Sequence, residues 1–167
     1  MARKAQVFNL NVKYYQRTRL PLAEEEKLGV TYCSSMNELL ECSDIISPHF
    51  PLHAGTKGLI SRAEFARMKD GVFFINTARG AIHNEEDLIE ALENKIIWGA
   101  GLDVTNPEPM KADNPLLSMP GVAVLPHIGS ATAGTRNAMA RLAAQNIIAG
   151  LAGEEIPFPV NPEVYQH

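Results

Sequence analysis

"FFINTARGAI", residues 73–82, is the stretch on which the reading of this chain turns. Phe73, Phe74 and Ile75 make an apolar run of strand length. It passes straight into a turn of small residues that carries one arginine, Arg79, between Ala78 and Gly80. A guanidinium on a solvated turn has no special meaning. At the carboxyl end of a buried strand it has one, because open α/β sheets bind ligands in the crevice beyond those ends.

Working outward, further strand-length runs lie at Val12–Tyr15, Val30–Cys33, Asp44–Ser47, Val72–Ile75, Ile97–Val104 and Val122–Leu125. Between them stand the helical patterns AEEEKLG, SMNELLECS, SRAEFARM and NEEDLIEALENK. Ser61 with Glu64 three residues later forms a capping box, and Asn84 is a good N-cap for Leu88, Ile89 and Leu92. The strands read as near-continuous apolar runs, the pattern expected when helices cover both faces of a sheet. This alternation predicts an α/β fold with a Rossmann-like, mostly parallel sheet. A longer helix is expected over roughly 131–150, with Met139, Leu142, Ala143 and Ile147 on its apolar face, before the proline-broken tail PFPVNPEVYQH.

Composition narrows the function classes. The 167 residues carry a net charge of −4 and are 46% hydrophobic, enough for one core. A pI near 5.7 without a basic run gives no reason to expect nucleic acid or an anionic membrane as partner. No apolar run reaches the length of a membrane span, and the N-terminus is too polar for a secretory signal. Cys33 and Cys42 lack CxxC spacing, which suits a reducing cytoplasm, although a disulfide between them stays open. None of the five histidines has metal-ligand spacing. No role is assigned to His49, His53, His83 or His167.

Three polar residues follow successive strand candidates: Arg79, Glu108 in GLDVTNPEP, and His127 in LPHIGS. INTARG, GAGLDVTNPEP and LPHIGSAT resemble the NAD-binding-domain signatures of the D-isomer-specific 2-hydroxyacid dehydrogenases. The likeness continues through SDIISPHFPLHAGTKGLI, AIHNEEDLIEAL and the closing helix, and YYQRTR is most similar to the glyoxylate/hydroxypyruvate reductases. The resemblance implies hydride transfer between a nicotinamide cofactor and a small 2-keto or 2-hydroxy acid. His127 would be the acid–base, with an ordinary pKa near 6.5 suited to passing a proton both ways. Glu108 would orient the imidazole and favour its cation, and Arg79 would grip the substrate's carboxylate or carbonyl oxygen with its planar fork. Asp103 resembles the residue that contacts the nicotinamide carboxamide. Thr77, Ala78, Ile128 and Gly129 would meet the cofactor through backbone, and Pro51 would line its middle portion.

NAD-preferring members end the second strand with a carboxylate for the ribose 2′-hydroxyl. Here Gln16, Arg17, Thr18 and Arg19 follow VKYY, so NADP is the expected cofactor, with NAD possible. No GxGxxG occurs in the chain. It is therefore expected to be a partial member that begins inside the first helix of the fold. Residues 1–130 would be a dinucleotide-binding domain without its first strand and glycine-rich turn. Residues 131–167 would be a helix and tail returning toward an absent substrate domain. A full-length member is expected to be a homodimer. A non-catalytic binding module on the same scaffold, or an inactive fragment, is the alternative.

Overall fold

A computed structural model describes residues 1–165; His167 lies outside the described residues. The chain forms two compact units, residues 1–126 and 127–167. The first holds the six strands found among the described residues: β1 (Val12–Tyr14), β2 (Val30–Tyr32), β3 (Ile45–Ile46), β4 (Val72–Asn76), β5 (Ile97–Leu102) and β6 (Val122–Val124). It also holds α1 (Ala2–Val7), α2 (Leu22–Leu28), α3 (Met36–Cys42), α4 (Arg62–Phe65) and α5 (Glu85–Glu93). The second unit is built on α6 (Ala133–Ala152).

The helices start where side chains can satisfy their first backbone donors. Ser35 accepts from the Glu38 amide at 3.1 Å, and Asn84 from the Asp87 amide at 3.2 Å. Ser61 and Glu64 form the capping box, the Glu64 carboxylate accepting from the Ser61 amide at 3.0 Å. α6 starts on Thr132 and stops at Gly153, whose φ of 72° lies in the left-handed region that glycine adopts without strain.

Every strand pairing is parallel, as the alternation of elements predicts. The strands form two sheets, β1 with β2, and β3-β4-β5-β6 in sequential order. In the strand order of doubly wound folds, the two strands flanking the first one do not pair with each other. Here too β1 and β3 stay in separate sheets rather than closing into one.

One face of the four-stranded sheet carries the core of the first unit. Ile46, Val72, Phe74, Ala100 and Leu102 pack there with Leu40 of α3, Phe65 of α4 and Leu88, Ala91 and Leu92 of α5. The opposite face shows Ile45 at 51% exposure, Phe73 at 41% and Trp98 at 72%. The cause is topological: right-handed crossovers that advance in one direction all lay their connections on the same face. A register shift after Val72 pairs Phe73 with Gly99 and leaves Trp98 out of the ladder, stacked on Phe73 with 5.8 Å between ring centroids. The stripe expected on α6 is likewise not buried, since Met139, Leu142 and Ile147 are exposed and Ala149 is that helix's only buried residue. Cys33 and Cys42 are free thiols.

Phe74 is fully buried and meets Phe65 edge-on at 5.5 Å, so Phe74→Ala is expected to cost about 3–5 kcal/mol. Trp98→Gln, on the open face of the same sheet, should change stability by only about 0.5 kcal/mol. Urea denaturation of the two variants measures the difference; equal losses would mean that the open face is covered in solution.

Candidate active site

The strand-end site of the first unit is organised by Asn76, the last residue of β4, which has no solvent exposure. Both polar atoms of its side-chain amide are engaged. The oxygen accepts from the Ala78 amide at 3.0 Å, while the nitrogen donates to the Arg79 carbonyl at 3.0 Å and faces His83 Nδ1 at 3.0 Å. Its backbone carbonyl accepts from the Asp103 amide at 3.0 Å, tying the ends of β4 and β5 together. The turn 77–79 is thus fixed at both ends, and the exposed Arg79 side chain is presented from a rigid base, Nη1 donating to the Ala78 carbonyl at 2.6 Å.

His83 is buried against Phe74, with ring centroids 5.5 Å apart. Burial disfavours its cation and pulls its pKa down to about 4, so near neutral pH the ring is uncharged and Nδ1 accepts from Asn76. Sequence reasoning passed over Asn76 and His83. The available signal was an amide at the end of an apolar run with a histidine seven positions on, but burial alone makes the pair necessary.

Gly80 brings the next loop in. A Cβ built on it would lie 2.0 Å from the Thr105 carbonyl oxygen, so only glycine allows the Arg79 turn and the loop after β5 to meet. Thr105 Oγ1 donates to the Pro107 carbonyl at 2.8 Å and shapes the approach to Glu108. Asp103, directly after β5, is buried, whereas Glu108 is exposed. The first unit therefore joins Arg79, Thr77 and Ala78 to the loop that carries Asp103 and Glu108.

His127 opens the second unit, exposed and with φ of 52°, a left-handed backbone that costs an L-residue roughly 1–2 kcal/mol. Ile128 and Gly129 follow it, exposed, and the Ile128 carbonyl accepts from the Ala131 amide at 2.9 Å. Pro51 is exposed in the loop after β3, where its carbonyl accepts from Thr56 Oγ1 at 2.8 Å.

In the turn after β1, Gln16 Nε2 donates to the Thr18 carbonyl at 2.7 Å. Arg17 and Thr18 are exposed, and among the described residues no carboxylate lies within ion-pair distance of Arg17. Arg19 differs. Its Nε and Nη2 donate to the two carboxylate oxygens of Glu25 at 2.8 and 2.7 Å, and Tyr14 adds its hydroxyl to Glu25 at 2.5 Å. The Arg19 hydrogen bond, then that of Tyr14, holds the Glu25 carboxyl down at about 2, and Arg19 is pushed above its ordinary range.

Two outcomes test the clamp. Folded His83 stays unprotonated down to about pH 4, whereas the unfolded chain protonates it near 6.5. Its contribution is therefore intact above pH 6.5 and declines by about 3 kcal/mol as pH falls from 6.5 toward 4. Urea titrations of wild type and His83→Gln across that window should differ in slope, and parallel curves would refute a buried neutral imidazole. Gly80→Ala should destabilise by about 1–3 kcal/mol by forcing the Thr105 backbone away; a neutral effect in the same assay would deny the close approach.

Residues 1–129 match the model of the D-isomer specific 2-hydroxyacid dehydrogenase NAD-binding domain. Glyoxylate/hydroxypyruvate reductase B of Citrobacter koseri is 43% identical over 157 residues, 94% of this chain and 48% of that protein. The human glyoxylate reductase/hydroxypyruvate reductase is 41% identical over 157 residues, again 94% and 48% of the two chains. Among solved structures, the NADPH-dependent glyoxylate/hydroxypyruvate reductase of Sinorhizobium meliloti, in complex with NADP and malonate, superposes with a TM-score of 0.86 at 34% identity. That match covers 96% of this chain and 49% of the other. The chain spans about half the length of the relatives it matches. With INTARG, GLDVTNPEP and LPHIGS each at the carboxyl end of its strand, the chain belongs to the D-isomer specific 2-hydroxyacid dehydrogenase family, as a representative of its NAD-binding domain.

Proposed function

We propose that this chain supplies the cofactor-binding half of an oxidoreductase that interconverts a small 2-keto acid, such as glyoxylate or hydroxypyruvate, with its 2-hydroxy acid. NADP is preferred and NAD is possible. The observation that carries this reading is the rigid presentation of Arg79 at the end of β4, beside the loop that bears Asp103 and Glu108. The names of the Citrobacter, human and Sinorhizobium relatives support the substrate class, and the NADP bound to the last supports the cofactor.

The residues present fit the two ends of such a cofactor. Asp103 and the backbone of Thr77 and Ala78 would hold the nicotinamide end, the role that the family resemblance also gives Ile128 and Gly129. Pro51 would line the middle, and the turn Arg17–Arg19 would hold the phosphorylated ribose. The absence of a carboxylate from residues 15–20, right after β1, favours NADP. Bound reduced nicotinamide supplies the hydride. Arg79 holds the substrate carboxylate in a planar, two-pronged grip. His127 gives its proton to the carbonyl oxygen as that oxygen becomes a hydroxyl, and takes it back in the oxidative direction. Orienting that imidazole is the role the family resemblance gives Glu108. The full-length setting is a cytoplasmic homodimer; among the described residues no helix is long and apolar enough to cross a membrane.

A second reading, a non-catalytic binding module, is favoured by the separation of β1-β2 from β3-β4-β5-β6. A chimera decides between the two. With this chain in place of the matching half of the Citrobacter reductase, NADPH-dependent glyoxylate reduction is expected. His127→Ala should then lower kcat by about 10²–10⁴-fold while cofactor affinity changes little. A chimera that melts cooperatively and binds NADPH without turnover supports the module instead, and unaltered kcat in His127→Ala removes the acid–base assignment.

A further inference from the structure

We infer that Cys42 and Cys33 form a peroxide-oxidisable dithiol site, in which Cys42 is the attacked sulfur, Cys33 the thiol that closes the disulfide, and Lys13 the cation at the Cys42 sulfur. None of these three residues belongs to the reaction proposed above.

The β1-β2 ladder and α3 bring the three together. Lys13 pairs with Thr31 across the ladder, and the Cys33 amide donates to the Tyr14 carbonyl at 2.8 Å. Lys13, Thr31 and Cys33 therefore share one face. α3 sets Met36, Leu39 and Cys42 at three-residue spacing along one side, all half-buried. Cys42 is its last residue, with Sγ 3.7 Å from the Leu39 carbonyl. There its sulfur sits beside both the Cys33 thiol and the Lys13 ammonium. Among the described residues no carboxylate lies within ion-pair distance of Lys13. Glu38, on the same helix, is taken up by the Ser34 amide and hydroxyl, each at 2.7 Å.

Burial divides the roles. Cys33 is 1% exposed, whereas Cys42 is half-buried and open to a small oxidant. Burial first, and then the neighbouring Cys42, pushes the Cys33 thiol up, so Cys33 keeps its proton while Cys42 reacts. A cation beside a partly exposed sulfur is the setting in which cysteines react with peroxides. The Cys42 thiolate attacks one oxygen of hydrogen peroxide. An S–O bond forms, the O–O bond breaks, and the leaving hydroxide takes up a proton as water. The Cys33 sulfur then displaces the second oxygen: the S–S bond forms, the S–O bond breaks, and that oxygen leaves as water with the Cys33 proton. Two thiols give up two electrons and two protons, and one peroxide becomes two waters. The bridge joins the end of β2 to the end of α3.

The test treats the 167-residue chain with equimolar hydrogen peroxide, alkylates it with iodoacetamide before and after denaturation, and maps the peptides by mass. Before peroxide, the native chain should be alkylated at Cys42 alone, and at Cys33 only once unfolded. After peroxide, neither should be alkylated even when unfolded. The chain should be lighter by two hydrogens, with the Cys33 and Cys42 peptides linked, and dithiothreitol should restore both thiols. Cys33→Ala should stop the reaction at a Cys42 sulfenic acid that dimedone traps. Lys13→Met should slow the loss of free thiol about twofold to fivefold. Wild type alone decides whether the site exists: thiols that stay free, or links that form only between chains, refute it. If Cys42→Ala loses its Cys33 thiol as fast as wild type does, or Lys13→Met reacts at the wild-type rate, the role given to that residue is overturned.

Discussion

Asn76 ends β4 out of reach of water, and each of its polar atoms must be matched inside the protein. Those matches give the strand end its shape. The side-chain oxygen fixes Ala78, the nitrogen fixes the Arg79 carbonyl and the His83 ring, and the backbone carbonyl reaches Asp103. A hydrophobic residue there would fill the space but leave the Ala78 amide and Arg79 carbonyl seeking partners. The amide acts as a template for a turn that has no regular hydrogen-bond pattern of its own. His83 belongs to the same constraint: burial keeps it neutral, and only the neutral ring offers Nδ1 as an acceptor. Electrostatics and turn geometry are one device here.

The element order and the parallel pairing were legible because they are written in local pattern. Apolar runs bounded by polar turns gave the strands, and Ser61, Glu64 and Asn84 gave helix starts that the backbone follows. Which residues of each strand enter the core of the first unit was not legible. A run such as VFFI reads alike whether one face or both are covered, since Phe73 is as apolar as Phe74. Their fates diverge because crossover handedness, a property of the whole topology, puts α3, α4 and α5 behind Phe74. The α6 stripe misled for the same reason: a periodic apolar face announces that a surface could be buried, not what lies against it.

At the candidate site, sequence located residue types at strand ends and missed what holds them. Arg79, Asp103 and Glu108 were found by their positions, while the Asn76 clamp and the Gly80–Thr105 approach needed distances between segments remote in sequence. The turn after β1 shows the limit most clearly. Arg17 and Arg19 are chemically identical and two residues apart, and composition counts them equally. Only Glu25, brought back by α2, separates them by occupying one and not the other.

That pairing also bears on how the first 35 residues are held at all. A parallel ladder of two strands, three residues each, is too small to persist on its backbone bonds alone. In this part of the chain Cys33 is the only fully buried hydrophobic residue, so a packed core contributes little. The ladder gains its tertiary support instead from Tyr14, Arg19, Glu25 and Tyr32, each from a different segment: β1, the turn, α2 and β2. Directional bonds of this kind are satisfied in one register, because a one-residue slip would turn Tyr14 and Tyr32 to the opposite face. Where hydrophobic burial is scarce, a polar cluster supplies both cohesion and register, and the turn after β1 inherits its shape from the elements that cluster joins.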